Sequence, residues 1–80
     1  MTNEAILERV RCIVAEVTEV EVERITLQSS PDKLEEWDSL AQVNIVLSLE
    51  QEFGRQFSPD QIERMVSVEK IVEVLTAQAR

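Results

Sequence analysis

The sequence predicts an all-α fold: three longer helices and one short one, with a long loop between the first and second. Three observations predict it. Apolar residues recur at three- and four-residue spacing in three stretches of the chain. No pair of stretches alternates in a way that would let two strands partner each other. Cap and turn residues punctuate the periodic stretches where helices would start and stop.

The first helix spans roughly residues 3 to 17. Ile6, Leu7, Val10, Ile13, Val14 and Val17 fall on one face, while Glu4, Glu8, Arg9 and Arg11 lie off it. Cys12 also lies off the stripe and is expected as an exposed free thiol. The next stretch, VTEVEVERITLQSSPDKLEEW, alternates briefly at Val20 and Val22. A lone strand would lack a partner, so the stretch reads as a long ordered loop pinned by Ile25, Leu27 and Leu34. Ser29-Ser30-Pro31-Asp32 is turn chemistry within it. Loops this long in small domains are often functional.

The second helix runs from Ser39 to Phe53, and Gly54 ends it. Ser58-Pro59-Asp60-Gln61 starts the short third helix with a capping box and proline at the first helical position, with Phe57 and Ile62 placed as its hydrophobic staple. The fourth starts at Ser67, with Val66 and Ile71 as the matching staple. Its core face is Val68, Ile71, Val72, Leu75 and Ala79.

Composition narrows the function. The 80 residues read as one domain, residues 1–80, near the lower limit for a self-sufficient core. One cysteine and no histidine rule out an intramolecular disulfide and a Cys/His zinc site. Without histidine or clustered glycines, Ser-His-Asp chemistry and a phosphate-binding loop are also absent. The carboxylates show no acid/base spacing. The formal charge of -8 disfavours nucleic acid and anionic membrane as partners and favours basic protein surfaces. No apolar run approaches membrane-spanning length, and MTNEAILERV is not a signal peptide.

The second helix is apolar on more than one side. Ile45, Val46, Leu49 and Phe53 suffice for a core. Leu40, Val43 and Leu47 make a second stripe, and Ala41, Asn44, Ser48, Gln51 and Glu52 a polar strip. The second stripe is either covered by neighbouring helices or left exposed for binding.

Ser39 stands where this stripe begins. Ser39-Leu40-Ala41-Gln42 matches a capping box with Gln42 as reciprocal partner, or Asp38 caps and Ser39 occupies the first turn. A helix N-terminus also favours a bound anion, so a hydroxyl there is well placed to bear a phosphodiester.

WDSLAQVNIVLSLEQEF, followed by SPDQIERMVSVEKIV, resembles the acyl carrier proteins and the wider family of phosphopantetheine-binding carrier domains. The likeness covers nearly the whole chain, and implies an acyl-carrier-like bundle and a carrier rather than an enzyme. It implies that Ser39, flanked by Asp38 and Leu40, bears 4′-phosphopantetheine. The thiol of that arm, not Cys12, would hold cargo as a thioester, and the arm would raise its effective concentration at each partner.

The implied partners are a phosphopantetheinyl transferase and acyl-activating or acyl-transferring enzymes and synthases with basic docking surfaces. Leu40, Val43, Leu47, Glu50 and Met65 are the candidate contacts, with Glu52, Glu35 and Glu36 as further steering charges. A monomer in a reducing cytoplasm is the expected state.

Fatty-acid carriers usually have a small residue before Asp-Ser-Leu and an acid-rich second helix. This chain has Glu36-Trp37 there, and Ala41, Asn44 and Ser48 where acids often stand. That points to a stand-alone carrier for a specialised fatty-acid or polyketide-like pathway. An aminoacyl or peptidyl carrier is the alternative within the family, and an unmodified helical interaction module the alternative outside it. Trp37 either packs over the loop or lies along the arm or a partner. Ile45, Leu49, Ile62, Met65 and Ile71 would line any cavity that sheltered an acyl chain.

Overall fold

The computed structural model describes residues 2–77. Its order is α1 (Asn3–Thr18), a 3-10 turn (Val22–Arg24), α2 (Ser39–Phe53), α3 (Pro59–Arg64) and α4 (Val68–Ala77). No strand occurs among the described residues. Ala79, expected on the core face of α4, lies outside them.

Thr2 caps α1 by accepting from the Ala5 amide at 3.1 Å. The helix stops where Glu19 turns left-handed, φ 59°, and the amides of Glu19 and Val20 both close on the Ala15 carbonyl. Glutamate tolerates that conformation poorly, so the stop is held by the loop beyond it.

The core joins α1, α2 and α4 around Val10, Val14, Ile45, Leu49, Val68 and Ile71. Two expectations shift here. Val68, Ile71 and Leu75 are buried as expected, but Val74 is buried as well while Val72 is only half-buried at the edge, because the buried face extends further round the helix toward Val74. Ala41, placed in the polar strip of α2, is buried. Its small side chain therefore serves packing.

The loop after α1 is ordered as expected, and Ile25 and Leu34 pin it. Leu27 does not: it is an exposed large apolar side chain. Its carbonyl serves instead. The α4 amides of Val68 and Glu69 donate to the carbonyls of Ser29 and Leu27 at 3.0 and 3.1 Å. These are among the first amides of α4, which have no partner inside the helix. Ser29 is buried, and its hydroxyl accepts from the Thr26 amide at 2.9 Å.

The other end of the loop is held by α1. Arg11 donates from Nε to the Ile25 carbonyl at 2.7 Å and from Nη2 to the Val22 carbonyl at 2.9 Å. The sequence pattern puts Arg11 off the apolar stripe, which is where a side chain reaching for the loop has to be.

α3 begins with the expected capping box: Ser58 accepts from the Gln61 amide, and the Gln61 side chain accepts from the Ser58 amide. Phe57 is buried and Ile62 half-buried, in line with a staple. Val66, assigned the matching role before α4, is instead exposed. Ser67 does sit at the start of α4, its hydroxyl accepting from the Lys70 amide at 3.1 Å.

The candidate carrier site at the start of α2

The cap of α2 is Asp38. Its Oδ1 accepts from the Ala41 amide at 2.8 Å, so Ser39 occupies the first helical position. The alternative in which Ser39 caps with Gln42 as its reciprocal partner is not the one adopted. Ser39 is exposed, and its hydroxyl has no hydrogen-bond partner among the described residues. With capping done by Asp38, the Ser39 hydroxyl is open to modification.

The two residues before Asp38 differ sharply. Glu36 is exposed, whereas Trp37 is 1% exposed, so the ring packs into the domain and does not lie along the surface. A buried indole N–H needs an acceptor. It finds Gln42 Oε1 at 2.6 Å, and Gln42 Nε2 donates in turn to the Met65 carbonyl at 2.9 Å. Sequence reasoning missed this use of Gln42. The available signal was a donor-only tryptophan side chain five residues before an amide at the start of a helix.

A groove of about 480 Å³ opens beside Ser39, lined by Pro31, Trp37, Gln42, Ile62, Glu63 and Val66. An exposed hydroxyl at a helix N-terminus, next to a mostly apolar groove, fits attachment of an extended, partly apolar arm. A second cleft of about 230 Å³ lies further along, between α2 and α3, lined by Gln42, Val43, Val46, Leu47, Glu50 and Ile62. Of the residues expected to line a sheltering cavity, only Ile62 reaches it. Ile45, Leu49, Met65 and Ile71 are fully buried in the core.

Beyond Ser39 the second apolar stripe of α2 is exposed. Leu40, Val43 and Leu47 are 70%, 54% and 52% exposed. Among the described residues no neighbouring helix covers them. Met65, expected to join them, does not: α3 ends at Arg64, the chain turns inward, and Met65 is fully buried with its amide on the Ile62 carbonyl. Val66, 52% exposed, takes the outward position.

The acids of α2 are partly occupied within the domain. Glu50 Oε2 accepts from the Phe57 amide at 3.0 Å. Glu52 pairs with Arg9 at 2.7 Å, and the carboxylate raises the Arg9 pKa above its ordinary value, chiefly through their hydrogen bond and then through its charge. Glu35 and Glu36 are exposed, as expected. Cys12 is exposed on α1, in a separate groove with Arg9, Glu16 and Glu52. Among the described residues no cluster could hold a metal, and no helix is long and apolar enough to cross a membrane.

The profile of a family described as "Phosphopantetheine attachment site" matches residues 8–75, a span that includes Ser39. The chain belongs to the acyl carrier protein family. It is 33% identical over 75 residues to an acyl carrier protein of Coprothermobacter proteolyticus, covering 94% of this chain and 92% of that protein. It is 29% identical over 75 residues to an acyl carrier protein of Thermosynechococcus vestitus, with coverage of 94% and 93%. One from Petrotoga mobilis is 29% identical over 76 residues, with coverage of 95% and 89%. The cofactor of this carrier is therefore 4′-phosphopantetheine, and its role is to carry acyl groups, not to catalyse their reactions.

Proposed function

We propose that Ser39 is the attachment point of the arm, and that the protein serves a specialised fatty-acid or polyketide-like pathway. The observation that carries the first part is the division of labour at the start of α2. Asp38 supplies the cap, and the adjacent Ser39 hydroxyl is exposed and unpartnered among the described residues. When bound, the group supplies a thiol on a flexible arm that holds the acyl cargo as a thioester. Asp38 and Leu40 would flank the attachment point, and the dipole at the start of α2 would favour the charge of the phosphodiester.

The partners proposed are a phosphopantetheinyl transferase and the enzymes that load and use the acyl group. They would meet the exposed stripe of Leu40, Val43 and Leu47, which starts one residue after Ser39. Glu52 is already paired with Arg9, so electrostatic steering of basic partners falls mainly to Glu35, Glu36 and Glu50, whose bond to the neutral Phe57 amide leaves its charge in place. On the outward side of α2, Asn44 and Ser48 stand where acids are usual and Glu50 is the carboxylate beside Val43 and Leu47, which supports dedicated partners over the general fatty-acid set. Ala41 no longer counts toward that argument, because it is buried.

The test is loading. The protein is incubated with coenzyme A, magnesium and a broad-specificity phosphopantetheinyl transferase, and its intact mass is taken. A gain of one phosphopantetheine that vanishes in Ser39→Ala is expected. A gain that survives Ser39→Ala would move the site elsewhere. Loading the holo-protein with acyl and aminoacyl donors then separates the acyl reading from an aminoacyl or peptidyl carrier.

A further inference from the structure

Gln42 joins three parts of the molecule that the backbone leaves separate. Trp37 belongs to the loop just before Ser39. Gln42 is one turn into α2. Met65 is the residue just past the end of α3. The indole is donor-only and the main-chain carbonyl acceptor-only. A side chain that bridges them has to accept with one atom and donate with another, and the Gln42 amide does both at 2.6 and 2.9 Å. Trp37, Gln42 and Ser39 line one wall of the groove at the attachment point, while Ile62, Glu63 and Val66 line the other. The bridge thus crosses between the walls. α3 itself packs on α4, and the Gln42 side chain adds a hydrogen bond from α2 to its C-terminal end.

We propose that Gln42 is a positioning residue for the loading of Ser39. By tying the Trp37 indole to the Met65 carbonyl, it holds the turn that bears Ser39 in one geometry relative to α3, and the transferase recognises that geometry. The inference rests on the reading of Ser39 as the attachment point. A carrier without the bridge still samples the competent arrangement of Trp37, Ser39 and α3, but in a smaller fraction of molecules, and loads from that fraction. Its apparent affinity for the transferase falls in proportion to that fraction, while turnover of the bound, competent form is unchanged. Loss of one ordinary hydrogen bond corresponds to about a two- to twelvefold change in such a population.

Transferase kinetics with the full chain as varied substrate, read by intact mass, test this. Gln42→Met removes both bonds at similar length. Gln42→Glu is isosteric, keeps the acceptor for the indole, and loses the donor to Met65. Trp37 is the only tryptophan, so its emission reports the indole directly. Thermal melts establish that each variant is folded at the assay temperature.

In Gln42→Met, a KM raised at least about twofold with kcat kept, together with red-shifted emission, is expected. Gln42→Glu should raise KM with little change in emission. In a double-mutant cycle, Gln42→Met and Trp37→Phe should be non-additive. Wild-type KM in Gln42→Glu overturns the proposal and decides alone if Gln42→Met does not fold. That result leaves the Ser39 reading intact, because wild type and variant both load. Absence of loading in the wild type, or a mass gain that survives Ser39→Ala, defeats the Ser39 reading and this inference with it.

Discussion

Replacing Arg11 by methionine should release the loop from α1 and cost the domain about 2 kcal/mol. The side chain is 25% exposed and donates two hydrogen bonds from a charged group, at 2.7 and 2.9 Å, to the carbonyls of Ile25 and Val22. A bond of this kind is worth about 1.5 to 3 kcal/mol when buried. Partial exposure lets water replace part of each bond, so about 1 kcal/mol apiece is the better figure. A domain of this size has roughly 4 to 12 kcal/mol in all, so the loss is large. Methionine keeps the apolar stem, which isolates the head group. Urea or thermal unfolding measures the effect, and a fall in midpoint of roughly 10 °C is expected from the usual scaling for small domains. Arg11→Lys should recover only part of it, since an ammonium lacks the planar fork that reaches both carbonyls. Glu8 pairs with Arg11 at 2.8 Å but is exposed, so Glu8→Ala should cost no more than about 0.5 kcal/mol. If Glu8→Ala cost as much as Arg11→Met, the ion pair and not the loop carbonyls would be the source of stability. A midpoint shift under about 3 °C in Arg11→Met would refute the reasoning outright.

The two left-handed helix ends make an opposed pair. Gly54 has φ 62° and open space where a Cβ would stand, so Gly54→Ala should cost only the strain of about 1 kcal/mol, read by urea unfolding. Glu19→Gly, at φ 59°, should stabilise by roughly 0.5 to 1 kcal/mol in the same assay. Leu47→Asp should leave the melting temperature within a few degrees, since the side chain is 52% exposed, and should slow acyl transfer to partner enzymes at least about tenfold by placing a charge in an apolar contact. Glu35→Gln with Glu36→Gln should lower partner on-rates and flatten their salt dependence, whereas Glu52→Gln should do so less because Arg9 already engages it.

The helices are legible in the sequence because their signals are local. The Ser58 capping box, the stop at Gly54 and the apolar spacing of α1 each involve residues within a turn or two of one another. The second stripe of Leu40, Val43 and Leu47 is legible as a stripe from its spacing, but its exposure is not, because that depends on which helices pack beside it. The features that escape the sequence depend on distant partners. Met65 reads as outward because a short helix gives its last residue no clear phase, and the chain turns inward there. Leu27 reads as a loop anchor on hydrophobicity alone, yet its carbonyl does the anchoring. Gln42 reads against its own helix start, whereas its partners lie in the preceding loop and 23 residues downstream. The choice between Asp38 and Ser39 as cap has no local answer, because both residue types cap well.

The polar residues whose roles escape the sequence have something in common. Arg11, Glu50 and Gln42 all commit side-chain groups to main-chain atoms of segments that have little regular structure: Val22 and Ile25, Phe57, and Met65. Such segments lack ladder or helix partners, and their main-chain groups still need satisfying. A chain of 80 residues has only a modest core with which to hold them. Directional bonds from the helices therefore do what a larger domain would do by burial. For a carrier this has a functional consequence. The long loop ending at Ser39 and the short α3 beside it can be well placed without being deeply buried. The surface around Ser39, the proposed attachment point, stays exposed, while Arg11 and Gln42 tie down its two flanking segments.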